Sequence, residues 1–350
     1  MTIHLKPNQI RNLRLRAQAL HLRQTGGPAA TVRQMVGVQA QEAMAARLAL
    51  WARSRELVGP QVDQALAATR TVVRTWSLRG TLHLHAAQDL GWLLPILGPV
   101  FIRKSRRRFT ELGLTEEIYN QARPALEAIL ASEGPLRRAE LAKHLSDQGI
   151  PTAGQAAYHL IRRAGLDGLL CYGPDRAGKP TFALLKEWIE VDEPLYEQAA
   201  LVRLARRYLT AYGPARPEDL ATWSGLPIPS ARTGFDGLGS ELEKVTWDGA
   251  EVWLLKGHAE WLTEQPPEEY SVRLLPGYDP YLLGYRGRGL MVPPEYAGRV
   301  HPGGGTLRAT LLVNGRAAGL WHRKHRTHDV IIQVQPFEEL PTAVIPALEA

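Results

Sequence analysis

The sequence predicts an α+β fold: three winged helix-turn-helix units in tandem, followed by a small β-rich unit. Three observations carry that reading. Between Arg137 and Leu184 a helix, a turn, a second helix and a β-hairpin follow one another, the order of a winged helix. The same order returns later and can be traced backwards into the start of the chain, a repeat of roughly 75–80 residues. From Leu274 onward the helical patterns give way to alternating strands and turns.

Each element has its own signal. In the first unit, Leu13 to Arg23 has the apolar spacing of an amphipathic helix and stops at Gly26-Gly27-Pro28. Thr31 is the expected N-cap of a second helix, which Gly37 interrupts. Ala43 to Arg53 follows, with Met44, Leu48 and Trp51 at helical spacing. A helix near Pro60 to Thr69 precedes Thr71-Val72-Val73 and Thr81 to His85, which alternate as strands do. In the second unit, Arg137 to Ser146 is a helix, Gly149-Ile150-Pro151-Thr152 a turn, and Gly154 to Ala164 a helix with Ala157, Leu160 and Ile161 on one face. Leu169 to Tyr172 and Thr181 to Leu184 then make the hairpin. In the third, Ala199 to Tyr212, Pro217 to Ser224 and Pro229 to Leu238 are helices. Lys244 to Trp247 and Val252 to Leu255 flank Asp248-Gly249, a strong hairpin turn. In the last unit Thr310 to Val313 and Ala317 to Trp321 flank Asn314-Gly315, the preferred pair of a type I′ turn, and Val330 to Val334 adds a strand. The expected boundaries are 1–100, 101–190 and 191–265 for the winged helices and 266–350 for the β-rich unit.

The chain of 350 residues carries 42 Lys+Arg against 35 Asp+Glu, a net charge of +7, and 34 of the 42 cations are arginine. The planar guanidinium fork matches phosphates and guanine edges, so this balance favours nucleic acid as partner. A single cysteine, Cys171, excludes an internal disulfide, a zinc ribbon and an iron–sulfur cluster. The longest uncharged apolar run, Leu90 to Ile102, is 13 residues and contains Pro95 and Pro99, too short and too broken to span a bilayer. With no apolar stretch of signal-peptide type at the N-terminus, the expectation is a soluble, cytoplasmic protein associated with the nucleoid and not with a membrane.

Signatures of strong chemistry are missing: no Walker A loop, no H-E-x-x-H, no G-x-S-x-G and no complete dinucleotide fingerprint. Gly284, Gly287 and Gly289, like Gly303 to Gly305, read as turns. His322, His325 and His328 are spaced by three on a segment that reads as strand then loop, where such spacing does not converge on one metal. They read as a basic patch with Arg323, Lys324 and Arg326. His83 and His85 point to the same face of a strand, but a zinc site needs further ligands and none lies nearby. No metal and no cofactor are expected. The basic clusters at Arg103 to Arg108, Arg137-Arg138, Arg162-Arg163 and Arg206-Arg207, set on winged helices, favour duplex DNA.

One short motif stands apart, Val38-Gln39-Ala40-Gln41. It lies in the turn after Gly37, ahead of the helix in the recognition position of the first unit. With Ala45-Ala46-Arg47-Leu48-Ala49-Leu50-Trp51-Ala52-Arg53 it resembles the winged-helix DNA glycosylase family typified by AlkZ and YcaQ. The resemblance extends to Arg79-Gly80-Thr81-Leu82-His83, to Leu275-Pro276-Gly277-Tyr278-Asp279-Pro280-Tyr281-Leu282-Leu283-Gly284, and to Thr310 to Arg316 with Gly319-Leu320-Trp321. It implies three winged helices in a C-shaped arrangement with a concave DNA-binding surface. It also implies that Gln39 and Gln41 are the catalytic pair of a monofunctional glycosylase.

A glutamine pair suits such a reaction. A purine alkylated on N7 or N3 is already cationic and leaves readily, so the enzyme needs to orient a water and face an oxocarbenium ion, which an amide carbonyl can do. The expected partner is therefore double-stranded DNA carrying alkylated purines, with interstrand crosslinks as a further substrate, acted on by a monomer. The expected DNA contacts are Arg79, His83 and His85 near the pair, and Arg286, Arg288, Arg323 and Lys324 from the C-terminal unit. The alternative is a non-enzymatic winged-helix DNA-binding protein or transcription regulator. It would use recognition-helix side chains on base edges and would not need the glutamines.

Overall fold

The computed structural model describes residues 3–263, 270–326 and 329–349. The described residues form a mixed α+β structure in which three small sheets, each of three strands, alternate with helices, and a four-stranded sheet in the C-terminal part is followed by a short helix, Ile345–Glu349.

The chain opens with a two-residue strand, β1 (Ile3–His4), and helix α1 (Pro7–Ala17). This helix starts and stops earlier than its apolar pattern suggests. Pro7 takes the first helical position, the Lys6 N–H is capped by Gln9 Oε1 at 2.8 Å, and Ala19 turns the chain away at φ 53°. α2 (Pro28–Met35) is capped by Gly27 and not by Thr31, because Pro28 supplies the preset φ of the first turn; Thr31 lies inside the helix. β2 (Val38–Gln39), α3 (Ala43–Trp51) and α4 (Gly59–Ala67) follow, then β3 (Val72–Trp76) and β4 (Leu82–Ala86). The sheet order is β2-β4-β3, antiparallel throughout. α3 buries Ala45, Ala46, Ala49 and Leu50, whereas Met44 and Trp51 are 42% and 55% exposed. Small alanines with Leu50 form the buried face, and Met44 and Trp51 face outward.

The run that reads as broken by Pro95 and Pro99 is a continuous helix, α5 (Leu90–Glu111). Both prolines lie exposed on its outer side, while Trp92, Leu93, Leu97 and Phe101 fill the core. A Cβ at Gly98 would lie 2.1 Å from the Leu166 carbonyl oxygen, so only glycine allows the crossing with the helix that carries Leu166. Next come α6 (Glu116–Glu133), β5 (Leu136–Arg137), α7 (Arg138–Asp147), α8 (Ala156–Leu166), β6 (Leu170–Tyr172), β7 (Thr181–Leu184) and the single turn α9 (Leu185–Trp188). Their sheet has the order β5-β7-β6, matching the first.

The third block holds α10 (Glu197–Tyr212), α11 (Pro217–Ser224), α12 (Ile228–Asp236), β8 (Leu242–Trp247) and β9 (Ala250–Leu255), hinged at Asp248-Gly249. Its third strand is β1, paired parallel to β8 through Ile3–Val245 and His4–Thr246. The beginning of the chain is thus stitched to the third sheet. Arg14 strengthens the stitch with two hydrogen bonds to the Pro214 carbonyl, at 3.0 and 3.1 Å. The last sheet runs β10 (Val272–Leu275), β11 (Thr310–Val313), β12 (Arg316–His325) and β13 (Val330–Pro336) in sequence order. Asn314 and Gly315 both take positive φ, 49° and 72°, as a type I′ turn requires.

Candidate active site

The site is built on β2. Its entry is set by Val36, which leaves α2 at φ 63°, and by Gly37, where a Cβ would meet the His85 ring at 2.6 Å. His85 holds this corner. One ring nitrogen, Nδ1, lies 2.7 Å from the Val36 carbonyl, and the other, Nε2, lies 2.6 Å from Ser77 Oγ. A carbonyl can only accept, so Nδ1 carries the proton and Nε2 accepts from the Ser77 hydroxyl. Burial pushes the imidazole down to about 4, so the ring is neutral at physiological pH.

From there the backbone stays extended. Val38 pairs with Leu84, Gln39 with His83, and the Ala40 N–H donates to the Leu82 carbonyl at 2.7 Å. α3 begins only at Ala43. Residues two apart on an extended backbone share a face, and Gln39 and Gln41 do: Gln39 Nε2 donates to Gln41 Oε1 at 3.0 Å. Gln39 is 9% exposed and Gln41 lies open to solvent.

Arg79 stands over this pair. It occupies the turn between β3 and β4 in the left-handed region, φ 54° and ψ 14°. Its Nη2 donates to Gln39 Oε1 at 2.7 Å and faces His83 Nε2 at 3.3 Å; its Nη1 donates to the Trp223 carbonyl in the last turn of α11. His83 Nδ1 in turn donates to the Thr81 carbonyl at 3.1 Å. Burial, and then the Arg79 charge, holds His83 well below the usual imidazole range. Burial and, more weakly, Arg288 lower Arg79 to about 10, which leaves it a cation. Among the described residues no carboxylate hydrogen-bonds to Gln39, Gln41, Arg79 or His83.

The structure therefore brings Gln39, Gln41, Arg79 and His83 together, but corrects two expected DNA contacts. His83 and His85 are 1% and 0% exposed, and both are consumed by internal hydrogen bonds. They cannot reach a phosphate. Several basic clusters are also spoken for: Arg206 pairs with Glu241, Arg207 with Asp89, Arg163 with Glu116 and Arg137 with Glu140. Arg162 donates to the Gly80 carbonyl and to Ser105 Oγ. Arg286 is exposed, and its backbone N–H donates to Asp219. Arg288 donates to the Leu282 carbonyl at 2.9 Å. Arg323 and Lys324 lie on β12 beside β13, Lys324 exposed and Arg323 half-buried, where His322 bonds Gln333 at 2.7 Å. His328 lies outside the described residues. Among those described, no group of three metal-ligating side chains occurs and no helix is long and apolar enough to cross a membrane.

Sequence reading missed Ser77, Trp223 and Gly225 as parts of the site. The first acts through a histidine and the other two through backbone atoms 144 or more residues from Arg79, so no local pattern marks them.

Two amides presented side by side under a cation suit an enzyme that handles DNA bases, and similarity to known proteins makes the class definite: a DNA glycosylase. The chain belongs to the AlkZ-like DNA glycosylase family, whose sequence model matches residues 32–350. An interstrand DNA cross-link repair glycosylase of Streptomyces sahachiroi is 28% identical over 357 residues, covering 96% of this chain and 92% of that protein. The solved structure of Streptomyces sahachiroi DNA glycosylase AlkZ superposes with a TM-score of 0.83 at 27% identity, over 99% of this chain and 95% of the other.

Proposed function

We propose that this glycosylase acts as a monomer on duplex DNA, hydrolyses the N-glycosidic bond of purines made cationic by alkylation at N7 or N3, and unhooks interstrand crosslinks of the same chemistry. Gln39 and Gln41 are its catalytic pair. The observation that carries the reading is the Gln39–Gln41 hydrogen bond on an extended backbone, with no carboxylate bonded to the pair among the described residues. Water held by the Gln41 carbonyl attacks C1′ as the C1′–N9 bond breaks. The bonding electrons stay on N9 and neutralise the cationic ring, and the proton of the attacking water passes to solvent. With no carboxylate hydrogen-bonded to the pair among the described residues, the site suits a leaving group that needs no protonation.

In the same reading the three small sheets with their helices are tandem winged helices over 1–100, 101–190 and 191–265, set in a C around the duplex, with 266–350 as the β-rich unit. Arg286, Arg288, Arg323 and Lys324 contact phosphate. The test is single-turnover base release from duplex DNA containing N7-methylguanine, and then from a crosslinked duplex. Gln39→Ala and Gln41→Ala each lower release by roughly 10²-fold with DNA affinity retained, as for loss of one preorganised polar group. Gln41→Asp retains or broadens activity, because a carboxylate faces the oxocarbenium ion more strongly. Wild-type rates in both alanine variants refute the assignment.

A further inference from the structure

Arg79 carries a combination that a simple phosphate contact does not need. It is an arginine in the left-handed region, where a side chain costs about 1 kcal/mol that glycine would not. It has no ion-pair partner among the described residues. Its charge is met instead by the carbonyl end of α11, where Nη1 bonds the Trp223 carbonyl, a group that the helix leaves unpaired. Gly225 caps that helix at φ 80°, and a Cβ there would lie 3.1 Å from Arg79 Cα, so the two backbones are in contact. Nη2, which carries two hydrogens, faces Gln39 Oε1 and His83 Nε2.

A guanidinium can only donate. Facing Arg79, Gln39 must present its carbonyl oxygen, which turns its amide nitrogen toward Gln41. Gln41 must then answer with its own carbonyl. One cation thus fixes the orientation of both amides. The neutral His83 completes the arrangement from below, because its Nε2 accepts from Arg79 while its Nδ1 proton is held by the Thr81 carbonyl. A protonated His83 would set two donors against each other.

We infer that Arg79 is a positioning residue that locks the Gln39–Gln41 amide pair in one orientation, with His83 as the acceptor that keeps its guanidinium in place. The inference rests on the reading of Gln39 and Gln41 as the catalytic pair. Arg79 acts through Gln39 and not on DNA. Freed from it, the pair can invert, with Gln41 donating to Gln39, and two equally populated orientations alone would halve the productive fraction. Loss of the tether also releases the Gln39 side-chain rotamers, so the full effect is larger, roughly tenfold.

The experiment is a double-mutant cycle on single-turnover base release from N7-methylguanine duplex, with DNA affinity measured across a series of salt concentrations. The proteins are wild type, Arg79→Met, Arg79→Lys, Gln39→Ala and Arg79→Met with Gln39→Ala. Arg79→Met slows release about tenfold, leaves affinity and its salt slope unchanged, and adds nothing on the Gln39→Ala background. Arg79→Lys, which keeps the charge but cannot span the three acceptors, falls between wild type and Arg79→Met. The nitrogen chemical shifts of His83 supply a second readout: its protonation moves to higher pH in Arg79→Met. Effects that multiply in the double variant, or a salt slope that drops by about one with weakened binding, overturn the inference and make Arg79 an independent or phosphate-binding group. A wild-type rate in Gln39→Ala instead refutes the catalytic pair, and this inference with it, so the two failures read differently.

Discussion

Lowering the pH should destabilise this protein well before its surface carboxylates protonate, and His85 is the reason. Its ring is fully buried, donates to the Val36 carbonyl and accepts from Ser77, an arrangement available only to the neutral form. Burial moves it from 6.5 to about 4. Between those values the unfolded chain binds a proton that the folded chain refuses, so stability is complete above about pH 6.5 and falls as the pH drops toward 4. From about pH 8 to about pH 5 the linkage relation gives a loss of about 2 kcal/mol from His85 alone. His83, also buried and held well below its ordinary range, adds to the loss in the same direction. Against a typical total of about 5–15 kcal/mol this is a large fraction. The assay is urea unfolding of wild type and His85→Asn at both pH values. Exposed carboxylates contribute equally to the two proteins, so the difference between their pH dependences isolates His85. His85→Asn is less stable at pH 8 but loses about 2 kcal/mol less than wild type on acidification. An unchanged pH dependence would refute the claim that this ring is held neutral by its corner.

Asp279→Ala removes one partner of a fully buried bidentate pair with Arg53, at 2.7 and 2.9 Å, and costs about 3–5 kcal/mol in urea unfolding. Replacing both partners by apolar residues of similar size, Arg53→Met with Asp279→Leu, recovers most of it. Gly225→Ala forces a side chain into positive φ and within 2.7 Å of the Phe101 ring. It lowers stability by about 1–3 kcal/mol and slows base release through Arg79, with DNA affinity as the control. Arg323→Ala with Lys324→Ala lowers the salt slope of duplex binding by about two, read by fluorescence anisotropy; an unchanged slope removes that strand from the DNA surface.

Much of the architecture was legible because its signals are local. Asp248-Gly249 and Asn314-Gly315 demand positive φ at adjacent residues, and both turns sit where those dipeptides do. α11 matches its predicted bounds because proline and glycine bracket it. The Gln-Ala-Gln motif drew notice because two polar residues interrupt an apolar stretch, and the resemblance to the glycosylase family singled it out as a catalytic pair; a spacing of two on an extended backbone then puts both amides on one face.

What the sequence determined by itself was therefore the hairpin turns, several of the helices and the spacing of the two amides, while the long helix through Pro95 and Pro99 and the short strands β1, β2, β5 and β10 came from the structure. Only the tertiary structure decided what surrounds the amides. Whether His83 and His85 face DNA or the core depends on strand pairing with β2 and on the Val36 corner, neither of which their own neighbours encode. Which arginines are free depends on carboxylates distant in sequence, as Arg207 meets Asp89 118 residues away. The start of the chain looks like part of the first unit, yet hydrogen-bonds to β8, because an open strand edge accepts any extended segment that reaches it. The orientation of the glutamine amides is fixed by an arginine anchored on a helix 144 residues further on. Local propensity reads the backbone of a residue and the periodicity of its neighbours; partners brought together by packing leave no trace there.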